Sequence, residues 1–163
     1  MAEIIYSEEI RSNKTDLLFV VLALITYALS AWKLSVVGFK FVPGFFLFLG
    51  LLFTFYIFNF RVLKISITEQ ELHLKFGIIP WKTELLNIQE ITLDDAPMII
   101  KYGGAGVHFA FVKGEYRAFY NFLEYPRVLI RFKHKQGLVK ALVFTSRQPD
   151  QILKIIEENL PKT

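Results

Sequence analysis

Arg127, Arg131, Lys133 and Lys135 stand at alternate positions of one extended run. In a strand such residues share a face, while Val128, Ile130 and Phe132 share the other. Arg117 and Lys140 come close to them if the neighbouring hairpins pair as their turn residues indicate. A face of five or six cations can attract anionic lipid, each charge being worth on the order of 1 kcal/mol near a membrane surface. Charges on a sheet also block edge-to-edge association, and the sequence leaves both uses open.

Other chemistry-bearing residues are scattered. His73, His108 and His134 lie far apart in strand-like runs, whereas a zinc site needs about three ligands at defined spacing. Gly103-Gly104-Ala105-Gly106 lacks the Lys-Ser/Thr of a phosphate loop and leads into a strand pattern, which predicts a tight turn or bulge. Asp94 and Asp95 are adjacent carboxylates, but strand neighbours face opposite ways and no nucleophile or base accompanies them. The chain has no Cys, so thiolate ligands, thiol nucleophiles and disulfides are excluded. The expectation is a non-enzymatic protein with no cofactor and no metal. Tyr116, Phe119, Tyr120, Phe122 and Tyr125 form an aromatic cluster. Alternation puts Tyr116, Tyr120 and Phe122 on one face. Phe119 and Tyr125 on the outside would offer a patch to a partner or to the bilayer interface, with core packing as the other use.

Two apolar runs must position all of this. Residues 41–60 carry no charge, and residues 17–32 form a second such run. About twenty apolar residues make a helix long enough for a hydrocarbon core of about 30 Å. The pattern predicts a transmembrane hairpin over 16–60, with helices at 16–37 and 41–60, preceded by a polar tail over 1–15. Asn13 or Thr15 is the expected cap of the first helix, and Pro43 suits the first turn of the second. Gly44 and Gly50 permit close helix contact. Residues 1–16 carry four acids against two bases, which disfavours a cleaved signal. No ionisable residue interrupts either run, which argues for an anchor rather than an ion path. Lys33 and Lys40 flank the connection, against Arg11, Lys14, Arg61 and Lys64 on the other side. That imbalance places both termini in the cytoplasm of a multi-pass cell-membrane protein.

Residues 1–60 hold four basic and four acidic side chains, so the net +4 belongs to residues 61–163. A mildly basic domain suits an anionic membrane face and is too weakly charged to indicate nucleic acid. After Arg61 the hydrophobic period becomes two. Residues 62–68 and 71–76 read as strands, 81–93 as a third, and 98–102 as a short one. Lys113-Gly114 and Lys135-Gln136-Gly137 mark two hairpin turns. Pro149 and Asp150 open a helix whose apolar stripe is Ile152, Leu153, Ile155, Ile156 and Leu160. The fold class expected is α+β: a two-helix hairpin, then about seven strands in a bent antiparallel sheet, closed by a C-terminal helix.

The segments ISITEQELHLKFGIIPWKTELLNIQEITL (65–93) and KHKQGLVKALVFTSRQPDQILKIIEE (133–158), with YGGAGVHF (102–109) between them, resemble bacterial PH-like membrane proteins. Ile88 and Ile91 match that group's I-x-x-I segment, and Ser146, Arg147 and Pro149 its helix start. The resemblance implies a PH-like domain over 61–163 behind two membrane helices, with a scaffold role rather than a reaction. It does not extend to phosphoinositide binding, because the first turn, Thr68-Glu69-Gln70-Glu71, is acidic. The functional expectation is a membrane-anchored module binding a protein partner. Anionic-lipid sensing through the basic face and a subunit role in a larger membrane complex are the alternatives.

Overall fold

The computed structural model describes residues 3–94 and 105–160. Ser12, not Asn13 or Thr15, caps the first helix, α1 (Asn13–Val37): its hydroxyl oxygen accepts the Thr15 amide at 3.0 Å. Gly38, at φ +69°, ends it. The second helix, α2 (Phe41–Asn59), returns antiparallel to the first, with Pro43 in its opening turn. At 1.5 Å per residue the two are about 37 and 28 Å long. Both are long and apolar enough to cross a membrane, and only 22% and 11% of their most apolar windows are buried. A core helix of a water-soluble domain would be mostly covered, so these helices leave a large apolar surface for another medium.

Close contact between them rests on Gly50. The Tyr27 ring lies where a side chain at Gly50 would be, and the Tyr27 hydroxyl hydrogen-bonds Thr54 Oγ1 at 2.9 Å. The Ser30 hydroxyl donates to the Pro43 carbonyl at 2.9 Å. Gly44 faces open space and plays no such part.

The segment expected as a polar tail is instead a strand, β1 (Ile4–Ile10), paired antiparallel with β2 (Leu63–Thr68). The helical hairpin is therefore inserted between two adjacent strands of one sheet. β3 (Glu71–Phe76) and β4 (Ile79–Glu84) complete that sheet in the order β1-β2-β3-β4. The single strand expected over 81–93 is broken by a 3-10 turn at Leu85–Asn87, after which β5 (Ile88–Leu93) joins a second sheet. The others are β6 (Gly106–Val112), β7 (Glu115–Asn121), β8 (Arg127–Gln136) and β9 (Val139–Thr145), in the order β5-β8-β9-β7-β6. Among the described residues there are thus sheets of four and five strands rather than one of seven. The β7–β9 pair is parallel, so the second sheet is not wholly antiparallel. The strand expected over 98–102 lies outside the described residues.

Alternation fills the space between the sheets. Leu63, Ile65, Ile67, Leu72, Leu74 and Phe76 face Val128, Ile130, Phe132, Leu142 and Phe144. The C-terminal helix, α3 (Pro149–Asn159), covers the open side with Ile152 and Ile156 fully buried. A chain of rings ties the membrane-type helices to this core: Phe19 stacks on Tyr56, Tyr56 on Phe60, and Phe60 meets Phe76 edge-on at 5.2 Å. Such pairs contribute about 0.5–1.5 kcal/mol each beyond their buried area. Gly77, at φ +55°, turns the β3–β4 corner against the end of α2, where the Ile78 amide donates to Asn59 Oδ1 at 2.9 Å.

Candidate functional site

The face assignment along β8 holds at its start. Val128, Ile130 and Phe132 enter the main core, and Arg127 and Arg131 lie on the opposite side with Leu129. The six cations do not form one patch. Arg117 is only 3% exposed and donates to Glu115 Oε2 at 2.7 Å. Arg131 reaches the same carboxylate at 3.2 Å and Glu90 at 2.5 Å. Glu90 above all, with Glu115, raises the Arg131 guanidinium pKa against the opposing cost of its partial burial. Arg127 is buried beside Asp94, 3.8 Å away. These three arginines are built into the sheet.

Lys133, Lys135 and Lys140 make no ion pair among the described residues. Their positions follow from which end of the domain carries the helices. Leu123 donates its amide to Thr15 Oγ1, the Tyr125 hydroxyl donates to the Arg11 carbonyl at 2.8 Å, and Lys14 pairs with Glu124. The start of β8 therefore lies beside the start of α1. Lys135 is eight residues further along, about 26 Å at 3.3 Å per residue. At that end Lys135 and Lys140 line an open groove of about 600 Å³ with Phe111, Glu115, Tyr116 and Leu138. Phe111 and Leu138 are 76% and 78% exposed. The groove's one carboxylate, Glu115, is already engaged by Arg117 and Arg131.

The aromatic cluster serves core packing, on both faces of the second sheet. Phe119 is not outside: it is fully buried in a second apolar cluster with Val112, Leu129, Ala141 and Val143 on the far face of the second sheet. Tyr125 packs on the main core. The exposed rings are Phe109 and Phe111 of β6, both stacked or tilted against Tyr116. Sequence reasoning passed over them because β6 reads GVHFAFV, apolar on both faces, with no alternation to tell inside from outside.

The histidines are not brought together. His73 bonds Glu71 at 3.0 Å, His108 stacks on Phe119 at 4.9 Å, and the His134 backbone is held by the Asn87 side chain. Lys82 first, then His73, hold the Glu71 carboxyl below the usual range. Among the described residues no group of His, Asp and Glu has the arrangement to hold a metal ion. Asp95, Gly103 and Gly104 lie outside them.

No family model, no curated protein and no solved structure matches the chain.

Proposed function

We propose that the chain is a non-enzymatic, membrane-anchored docking module of PH-like architecture, which holds a protein partner at the cytoplasmic face. The helices serve as the anchor. Two facing sheets closed by a C-terminal helix, with the sequence resemblance, support the PH-like reading. One observation carries the functional part: Lys135 and Lys140, which make no ion pair among the described residues, and the exposed apolar side chains Phe111 and Leu138 gather at the end of the domain opposite the helices. Along β8, Lys135 lies up to about 26 Å from the end of the domain that holds α1, and the Debye length at physiological salt is about 8 Å. Attraction of that lysine to the chain's own membrane is screened out, so a partner away from the surface fits better than lipid sensing.

A photo-crosslinking amino acid placed at Leu138 and, separately, at Ile78 tests this in native membranes. Ile78 sits on the turn beside the end of α2 and is 73% exposed. Protein adducts at Leu138 and lipid adducts at Ile78 are expected. Lipid adducts at Leu138, or no protein adduct there at any expression level, refute the reading.

A further inference from the structure

The end of the domain remote from the helices is divided by charge. In the first sheet the β3–β4 corner sits on α2, so Glu71 and Glu84, paired at the other ends of those strands, lie far from the helices. Glu69 occupies the adjoining connection between β2 and β3, and Glu3 precedes Ile4, which pairs with Thr68. Glu71 is engaged by Lys82 and His73. Glu3, Glu69 and Glu84 are exposed and make no ion pair among the described residues. In the second sheet β6 starts against Phe60 at the end of α2, which puts Lys113, on the β6–β7 turn, at the same far end. Lys135 and Lys140 flank the β8–β9 turn beside it. The acidic and basic halves adjoin, because Gln136, at the end of β8, donates to the Lys82 carbonyl at 3.3 Å and to Thr83 Oγ1 at 2.8 Å. Each half also exposes apolar side chains: Leu86, at 62%, beside the acids, and Phe111 and Leu138 beside the lysines.

We infer that this end is a self-association surface, where two copies meet head to head about a two-fold axis with the acidic half of each on the basic half of the other. A two-fold contact requires a surface complementary to itself, so that residue i meets j and j meets i. Adjoining halves of opposite charge meet that requirement, whereas an end of one sign would repel its copy. Glu3, Glu69 and Glu84 stand against Lys113, Lys135 and Lys140, and Glu115 does not compete because two arginines already engage it. The same contact covers Leu86, Phe111 and Leu138. The helices leave from the opposite end of the domain, so copies in one bilayer hold this surface in the same direction and cannot meet through it. Copies in facing bilayers can. This inference rests on the docking reading, names the partner as a second copy in an opposing membrane, and makes the chain a bridge between membranes.

The test uses the full chain, one copy per lipid nanodisc, with particle mass measured by mass photometry. Paired discs are expected, and pairing should weaken between 0.15 and 1 M salt, where the Debye length falls from about 8 to about 3 Å. Lys113→Glu with Lys135→Glu turns the basic half acidic, and Glu69→Lys with Glu84→Lys turns the acidic half basic. All four positions are exposed, so the variants keep the fold. Each double variant alone should pair at least about tenfold more weakly. An equimolar mixture of the two should recover pairing, because an all-acidic end then meets an all-basic one. Liposomes carrying the chain should cluster under the same conditions and with the same mixture. Single discs at every concentration, pairing unmoved by salt or by either double variant, or a mixture that fails to recover it overturns the inference. The docking reading then survives if a crosslinker at Leu138 captures a different protein in native membranes, and falls with the inference if it captures none.

Discussion

Gly77→Ala separates a steric contact from a backbone preference. Gly77 holds φ +55°, and a Cβ there collides with both the backbone and side-chain oxygens of Asn59. Gly114 holds φ +80° in the β6–β7 turn, and a Cβ there meets nothing within 4 Å. The left-handed conformation costs a non-glycine residue about 1–2 kcal/mol, and both substitutions incur it. Overpacking against a neighbour that cannot yield adds typically 1–3 kcal/mol, and only Gly77→Ala incurs that. The neighbour includes the Asn59 backbone carbonyl at the end of α2, so a rotamer change cannot relieve the clash. Gly114→Ala should therefore cost about 1–2 kcal/mol and Gly77→Ala about 2–5 kcal/mol. A denaturant titration of the full chain in micelles measures both. Trp81, stacked on Phe132 in the core, is the reporter once the exposed Trp32 is replaced by Phe. Adding Asn59→Ala to Gly77→Ala should recover only part of the loss, because the carbonyl remains. Equal losses for the two glycines, or a larger one at Gly114, refute the claim that the β3–β4 corner is seated on the end of α2.

Other outcomes follow from the same contacts. Glu115→Ala strips Arg117 of its hydrogen-bonded partner while it stays buried, and should cost about 3–5 kcal/mol, whereas Lys133→Ala should stay within about 0.5 kcal/mol on the same titration. Phe119→Ala should cost about 3–5 kcal/mol, and Phe111→Ala, at an exposed ring, about 0.5 kcal/mol or less. Ser12→Ala removes the cap of α1 and should cost about 1 kcal/mol. Burial alone pushes the Tyr120 hydroxyl up to about 12, and burial together with Glu8 does the same for Tyr6. Both pKa values are raised on folding, so their stabilisation is complete below the ordinary tyrosine value of 10.0 and is lost as pH climbs toward 12. Phenolate absorbance should show these two tyrosines ionising last, together with alkaline unfolding; early ionisation of either contradicts its burial.

Local pattern made some of this architecture readable. Uncharged length marked α1 and α2, Lys113-Gly114 marked its turn, and the spacing of Ile152 and Ile156 marked the buried side of α3. What escaped was decided at long range. β1 pairs across the whole hairpin with β2, and its inward side includes a carboxylate: Glu8 accepts from the Tyr6 and Ser146 hydroxyls and the Arg147 amide. An acid serving as a partly buried acceptor disguises a strand as a polar tail. The break at Leu85–Asn87 was hidden because Leu85 and Leu86 read as strand residues, while the Leu85 amide bonds the Gln70 carbonyl rather than a strand neighbour. Arg131 meets Glu90 of β5 and Glu115 of β7, Arg117 shares Glu115 on its own strand, and Arg127 lies beside Asp94 just after β5, so only the assembled sheet shows that these arginines are already engaged.

The insertion of α1 and α2 between β1 and β2 makes the hairpin a check on its own topology. In a bilayer, β1 and β2 can meet only if the chain crosses an even number of times between them. A molecule in which one helix failed to insert, or in which only one crossed, would strand its first seven-residue strand apart from the rest of its sheet. Such a molecule would expose β2 and lose Ile10 and Tyr6 from the core. On the proposed membrane-anchored reading, completion of the sheet reports correct insertion, and an error in the membrane becomes an unfinished domain outside it.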